Sequence, residues 1–234
     1  MNPPLTAQPT NGIGKDDQEK HAQPSALKIS AKIISYIFHP IFIPIYVLLF
    51  LIKVQPYLFV GMIGLKRTFT IIQFGVMYAF FPVVTALLLK ALGFIDSIYM
   101  KTQKDRIIPY VICMIYYFWV WYVIRNQNVY PDELVQFSLA IFITSILGLM
   151  SNSYMKVSMH AMAVGVMSAF IVLLMIDGNI DSGIYISGVL FITGLVCTAR
   201  LIISDHSTKE IYTGLFIGII AMLIAKFSFH FFNS

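Results

Sequence analysis

From Ile107 to Ile124 the chain carries no charged side chain for 18 consecutive residues. A run of that length, wound as a helix rising about 1.5 Å per residue, covers the roughly 30 Å hydrocarbon core of a bilayer. Hydrocarbon offers no partner to backbone N–H and C=O groups, so an apolar run there must satisfy its own backbone as a helix. Comparable runs recur at Ile71 to Leu89, Leu134 to Met150, Met159 to Ile176, about Gly183 to Ala199 and Ile211 to Ala225. A further run, Ile33 to Ile52, contains His39-Pro40 and Pro44, which imply a bent, interrupted or re-entrant helix. The expected fold class is all-α, a polytopic transmembrane helix bundle with six to seven spans. Tyr116, Tyr117, Trp119, Trp121 and Tyr122 crowd the far end of the third span, as an interfacial aromatic belt would.

Composition agrees. Hydrophobic residues make up 58% and charged residues 12%, with a mean hydropathy of +0.80, which places the chain outside ordinary soluble domains. A formal charge of +5 could suggest nucleic acid, but the basic residues lie scattered in loops between apolar runs, so no nucleic-acid partner is expected. Cys113 and Cys197 sit inside apolar runs without paired Cys or His spacing and read as free, packed thiols. Residues 1–30 are polar and lack periodicity, a disordered tail ahead of a helical domain at 31–234; no signal peptide is evident.

Topology brings distant polar residues together. Two spans separate Arg106 from Ser158, and two more separate His160 from the stretch Arg200 to Glu210; each pair of crossings returns the chain to the same face. Lys101, Lys104, Arg106, Lys156, Ser158, His160, Arg200, His206 and Glu210 therefore meet at one mouth of the bundle. Charge at that depth is expensive and usually functional. If residues 206–218 are helical, His206 and Glu210 lie one turn apart on one face, so the carboxylate can hold one imidazole nitrogen and leave the other free. Guanidiniums bind phosphoryl oxygens in two-pronged fashion, a hydroxyl and an ammonium add donors, and two histidines supply a nucleophile and an acid. No metal is required by this set, which has no HExxH, no cysteine pair and no dense carboxylate cluster; no cofactor is expected.

At these residues the chain resembles the type 2 phosphatidic acid phosphatase superfamily, whose members carry KxxxxxxRP, PSGH and SRxxxxxHxxxD in that order. Ala199-Arg200, then His206, then Glu210 keep the third spacing, with Ala for Ser and Glu for Asp; Gly214 and Gly218 follow as in the family. Val157-Ser158-Met159-His160 keeps the Ser and His of the second motif. Arg106-Ile-Ile-Pro109 keeps the arginine of the first and displaces its proline, while Tyr99 stands where the lysine is expected. The resemblance covers about residues 96–220. It implies that His206 is the nucleophile forming a phosphohistidine, that Glu210 orients it and that His160 protonates the leaving group. Arg106, Arg200 and Ser158 would bind the phosphate, with Lys101 or Lys104 in place of the missing lysine.

The expected function is an integral membrane, metal-independent phosphatase acting on a lipid phosphate or diphosphate of the phosphatidic acid, phosphatidylglycerol phosphate or polyprenyl diphosphate type. The alternative is a non-catalytic membrane protein that binds or moves lipids or ions on the same fold. His39 reads as a helix histidine bonded to a neighbouring carbonyl, and Asp177 and Asp181 as a solvated turn. Leaving out Arg106 and Arg200, Lys and Arg number nine on the motif face against five opposite, which puts the site and the N-terminus on the cytoplasmic side of the cell membrane.

Overall fold

A computed structural model of the chain describes residues 24–95, 103–178, 183–203 and 206–233. Among these residues there is no strand. The helices are α1 Ser25–Ile37, α2 Ile43–Val54, α3 Leu65–Gly75, α4 Phe81–Ala91, α5 Gln103–Asn126, α6 Asp132–Asn152, α7 Met159–Ile176, α8 Gly183–Ile203 and α9 Thr208–Asn233. Six helical stretches among the described residues are long and apolar enough to cross a bilayer, beginning with Leu65–Ala91, where a π-helical turn, Val76–Phe80, joins α3 to α4. The protein is an integral, multi-pass, all-α bundle. Pro82 lacks the N–H that would bond the Tyr78 carbonyl, and the widened turn falls there.

The first apolar run does not form one span. It breaks at residues 38–42 into α1 and α2, because Pro40 disfavours helix at His39 and Pro44 seeds a new helix at its own first turn. The Tyr46 hydroxyl donates to the Ile37 carbonyl at 2.8 Å across the break. Twelve residues in α2 rise about 18 Å, too little to cross alone. α1 starts at Ser25, inside the stretch read as tail; residues 1–23 lie outside the described part. The aromatic belt is also only half a belt. Trp119 and Tyr122 are exposed, whereas Tyr117 packs on fully buried Tyr78, ring centroids 5.4 Å apart, and Trp121 stacks on Phe142.

α9 lies along α6 and α7, α5 along α6, α8 along α7, and α1 along α8. The closest approach is between α7 and α9. A Cβ on Gly214 would stand 2.7 Å from the Ser158 carbonyl oxygen, and one on Gly218 would strike the Met162 carbonyl, so only glycine lets these backbones touch. At one end of the bundle the Asn152 amide donates to the Gln103 carbonyl at 2.8 Å, joining the end of α6 to the start of α5. At the other end the Lys226 ammonium pairs with Asp177, and the Arg125 guanidinium stands 5.4 Å over the Trp121 ring.

Candidate active site

The starts of α5, α7 and α9 and the end of α8 come to the same end of the bundle, as the crossing count predicts. Three helix N-termini, each the positive end of a helix dipole, therefore share that end. Backbone bonds tie two of them, since the Ser158 N–H donates to the Glu210 carbonyl at 3.3 Å.

His206 does not lie within a helix. It precedes α9, which begins at Thr208 after Ser207. Ser207 and Glu210 form a reciprocal cap: the Ser207 hydroxyl accepts the Glu210 N–H at 3.4 Å, and Glu210 Oε2 accepts the Ser207 N–H at 3.0 Å. The same Oε2 lies 2.8 Å from His206 Nδ1. The cap thus aims the carboxylate, and the carboxylate fixes the imidazole. The expected His206–Glu210 contact is present, built by an S-x-x-E capping box rather than by one helical turn. Ser207-Thr-Lys-Glu210 was legible as that signature in the sequence.

Burial of the His206 ring lowers its affinity for a proton; the hydrogen bond to Glu210 acts the other way, and the nearby cations Arg106 and Arg200 lower it again. The net result is an imidazole held below its ordinary value, neutral at pH 7, with Nδ1–H directed to Glu210 and the Nε2 lone pair free of that bond.

Arg106 is 5% exposed, and its Nη1 donates to the Val157 carbonyl at 2.9 Å, which fixes the guanidinium beside the start of α7. Arg106 acts electrostatically on Arg200 and on His206; Arg200 acts on His39, His160 and His206. Two guanidiniums and three imidazoles, from α5, α7, α8, the turn before α2 and the segment just before α9, therefore share one field. Ser158 is fully buried, and its hydroxyl caps α7 by accepting the Ala161 N–H at 3.4 Å. His160 lies at the same end as His206, with Nε2 3.1 Å from the Ser35 carbonyl of α1.

Lys104 is not brought to the cluster. It is exposed, and two positions along a helix from buried Arg106 is about 200° of rotation, the opposite side of α5. Lys101 lies outside the described residues. His39, set aside in the sequence, is at the site: its ring meets that of His160 with centroids 5.2 Å apart. The only sequence signal for it was a histidine immediately before the proline that breaks the first run.

Chemically, the arrangement offers a neutral imidazole oriented by a carboxylate, two guanidiniums for a multiply charged anion, that of Arg106 fixed by the Val157 carbonyl, and a second imidazole. Among the described residues no group of three or more His, Cys, Asp or Glu side chains is placed to hold a metal ion. Comparison with protein-family models, with curated proteins and with solved structures returns no match.

Proposed function

We propose that this membrane protein is a phosphatase that hydrolyses a lipid phosphate or diphosphate through a phosphohistidine on His206, without a metal ion. The observation that carries the reading is His206 itself, neutral, bonded through Nδ1 to Glu210 and lying in the field of both Arg106 and Arg200. In this reading the Nε2 lone pair forms a bond to phosphorus as the bond to the leaving oxygen breaks. Glu210 stabilises the imidazolium that results, and the guanidiniums neutralise the charge on the equatorial oxygens. His160 protonates the departing oxygen. Water then attacks the phosphohistidine, giving its proton to His160; the P–N bond breaks, inorganic phosphate leaves and His206 returns to its neutral form. The lipid tail would lie among the helices while its headgroup reaches the cationic end, which faces the cytoplasm of the cell membrane by the count of Lys and Arg.

The test is phosphate release by the purified full chain from phosphatidic acid, phosphatidylglycerol phosphate and a polyprenyl diphosphate, with His206→Ala alongside. Wild type should turn over at least one of them, and the variant should lose about 10³-fold or more of that rate. Release from none of the three, or equal release by both proteins, overturns the proposal. One observation favours a second reading, a protein that binds anionic lipid without turning it over: the Ser158 hydroxyl and His160 Nε2 are both engaged by backbone groups. Saturable binding of phosphatidic acid with no release would select it.

A further inference from the structure

His39 stands in the turn between α1 and α2 that Pro40 and Pro44 impose on an otherwise apolar run. Its ring meets His160 edge to face, centroids 5.2 Å apart and planes at 83°. His39 Nδ1 accepts the Ile41 N–H at 3.5 Å, so in the neutral ring the proton is on Nε2. His160 Nε2 lies 3.1 Å from the Ser35 carbonyl oxygen. A carbonyl only accepts, so Nε2 of His160 carries the proton and Nδ1 the lone pair. The N-terminal arm thereby supplies two restraints on one ring: the Ser35 carbonyl selects the tautomer, and the flat face or edge of His39 sets the plane.

We propose that His39 is a positioning residue of the candidate site, holding His160 with Nε2–H against Ser35 so that Nδ1 is the nitrogen available for proton transfer. The inference deepens the phosphatase reading and rests on it for what Nδ1 then does; the tautomer itself is a property of the folded chain. The charge of the surroundings agrees with it. Burial first, and then the Arg200 guanidinium, push the His39 imidazole down to about 4, so His39 is uncharged at neutral pH and adds no cation beside Arg200. The groups that face His160 electrostatically are Arg200, His39 and His206, with the Ser35 carbonyl as its hydrogen-bond acceptor. In turnover a proton from water binds Nδ1 of His160. It then passes to the lipid alkoxide oxygen as the P–O bond breaks, and Nδ1 regains its lone pair while Nε2–H never leaves Ser35.

The decisive measurement is nitrogen NMR of the full chain, labelled with ¹⁵N at its five histidines and held in lipid nanodiscs. His160→Asn and His39→Asn variants assign the signals. The expected result is a protonated Nε2 and an unprotonated Nδ1 for His160 in the wild type, giving way to a mixture of tautomers in His39→Ala. His39→Phe, which keeps a flat ring against His160, should retain most of the wild-type pattern and shows that any change in the alanine variant is not loss of fold. A protonated Nδ1 in the wild type, or an unchanged His160 pattern in His39→Ala, overturns the proposal. On a substrate that the wild type hydrolyses, His39→Ala should lower kcat about tenfold with KM within about twofold, because geometry rather than headgroup binding is lost. An unchanged kcat would overturn the role in turnover. If His206→Ala hydrolyses as well as wild type, the phosphatase reading fails, and the NMR pattern still decides the placement of His39.

Discussion

Protonation of His206 links the site to pH in a direction that can be worked out. The folded chain holds this imidazole below its ordinary value, so the unfolded chain binds the proton more readily. The stability that the neutral ring contributes is present above the ordinary histidine value of about 6.5 and is lost as pH falls below it. The attacking nitrogen must also be unprotonated, so the acid limb of kcat/KM should lie below that same value. Glu210→Gln removes the charge behind both effects that favour the proton on His206, the hydrogen bond and the Coulombic attraction of the carboxylate, so the acid limb should move to still lower pH. The plateau should meanwhile fall about 10²-fold or more, because the amide no longer orients and stabilises the imidazolium. A pH profile of phosphate release by both proteins checks this, and an acid limb that moves upward in Glu210→Gln would contradict the assignment. Arg106 shows how a side chain can serve structure and site at once. Its bond to the Val157 carbonyl fixes the residue next to Ser158, so its removal would unsettle the start of α7 as well as the field at His206.

Among the elements, α7 and α9 do most to build the site, and they do so by touching. Gly214 lies one turn beyond Glu210, and it lets the start of α9 press against Ser158. Gly214→Ala gains about 1 kcal/mol in helix propensity but places a carbon 2.7 Å from the Ser158 carbonyl oxygen, where backbone cannot yield locally. The net expectation is a loss of about 1–2 kcal/mol in an unfolding titration in mild detergent, with reduced phosphate release because the bond from Ser158 N–H to the Glu210 carbonyl stretches. A variant as stable as wild type would show that the helices separate without strain. The capping box has a matching role, since Ser207 aims the carboxylate that holds His206. The break between α1 and α2 is the third device, for it delivers His39 and the Ser35 carbonyl to a helix more than a hundred residues away.

At the scale of the molecule the two ends of the bundle differ. One gathers the arginines and histidines; the other carries the Lys226–Asp177 pair and Arg125 over Trp121. In a background with Cys113 and Cys197 replaced by alanine, exposed positions report the sides. Tyr154→Cys and Ser207→Cys should react with a membrane-impermeant maleimide from one face of the membrane, and Gln127→Cys from the other. Labelling of Tyr154→Cys and Gln127→Cys from one face would mean a lost crossing and an unassembled site. The face itself leans on the tail. The break at residues 38–42 separates Lys15, Lys20, Lys28 and Lys32 from the first long span, and without them the count of nine against five becomes five against five. The cytoplasmic assignment therefore stands or falls with the labelling.

The helical type of the spans and the places of six of them were readable from the sequence alone, whereas the break in the remaining apolar run, the first in the chain, came from the structure. A bilayer obliges each long apolar run to satisfy its backbone within itself, and that is a local requirement, readable from consecutive residues. The same locality made the crossing count reliable from Arg106 to Glu210, and with it the gathering of His160 and His206 at one end. What only the tertiary structure decided is rotation and contact between helices far apart in the chain. Packing across α7 and α9, close because Gly214 and Gly218 carry no side chain, sets how those two helices face each other, while α5 takes its place along α6. In the assembled bundle Arg106 bonds the Val157 carbonyl while Lys104 is exposed, Ser158 spends its hydroxyl on its own helix, and His39 arrives beside His160. Spacing along one helix carries no information about the carbonyl that another helix will present to it.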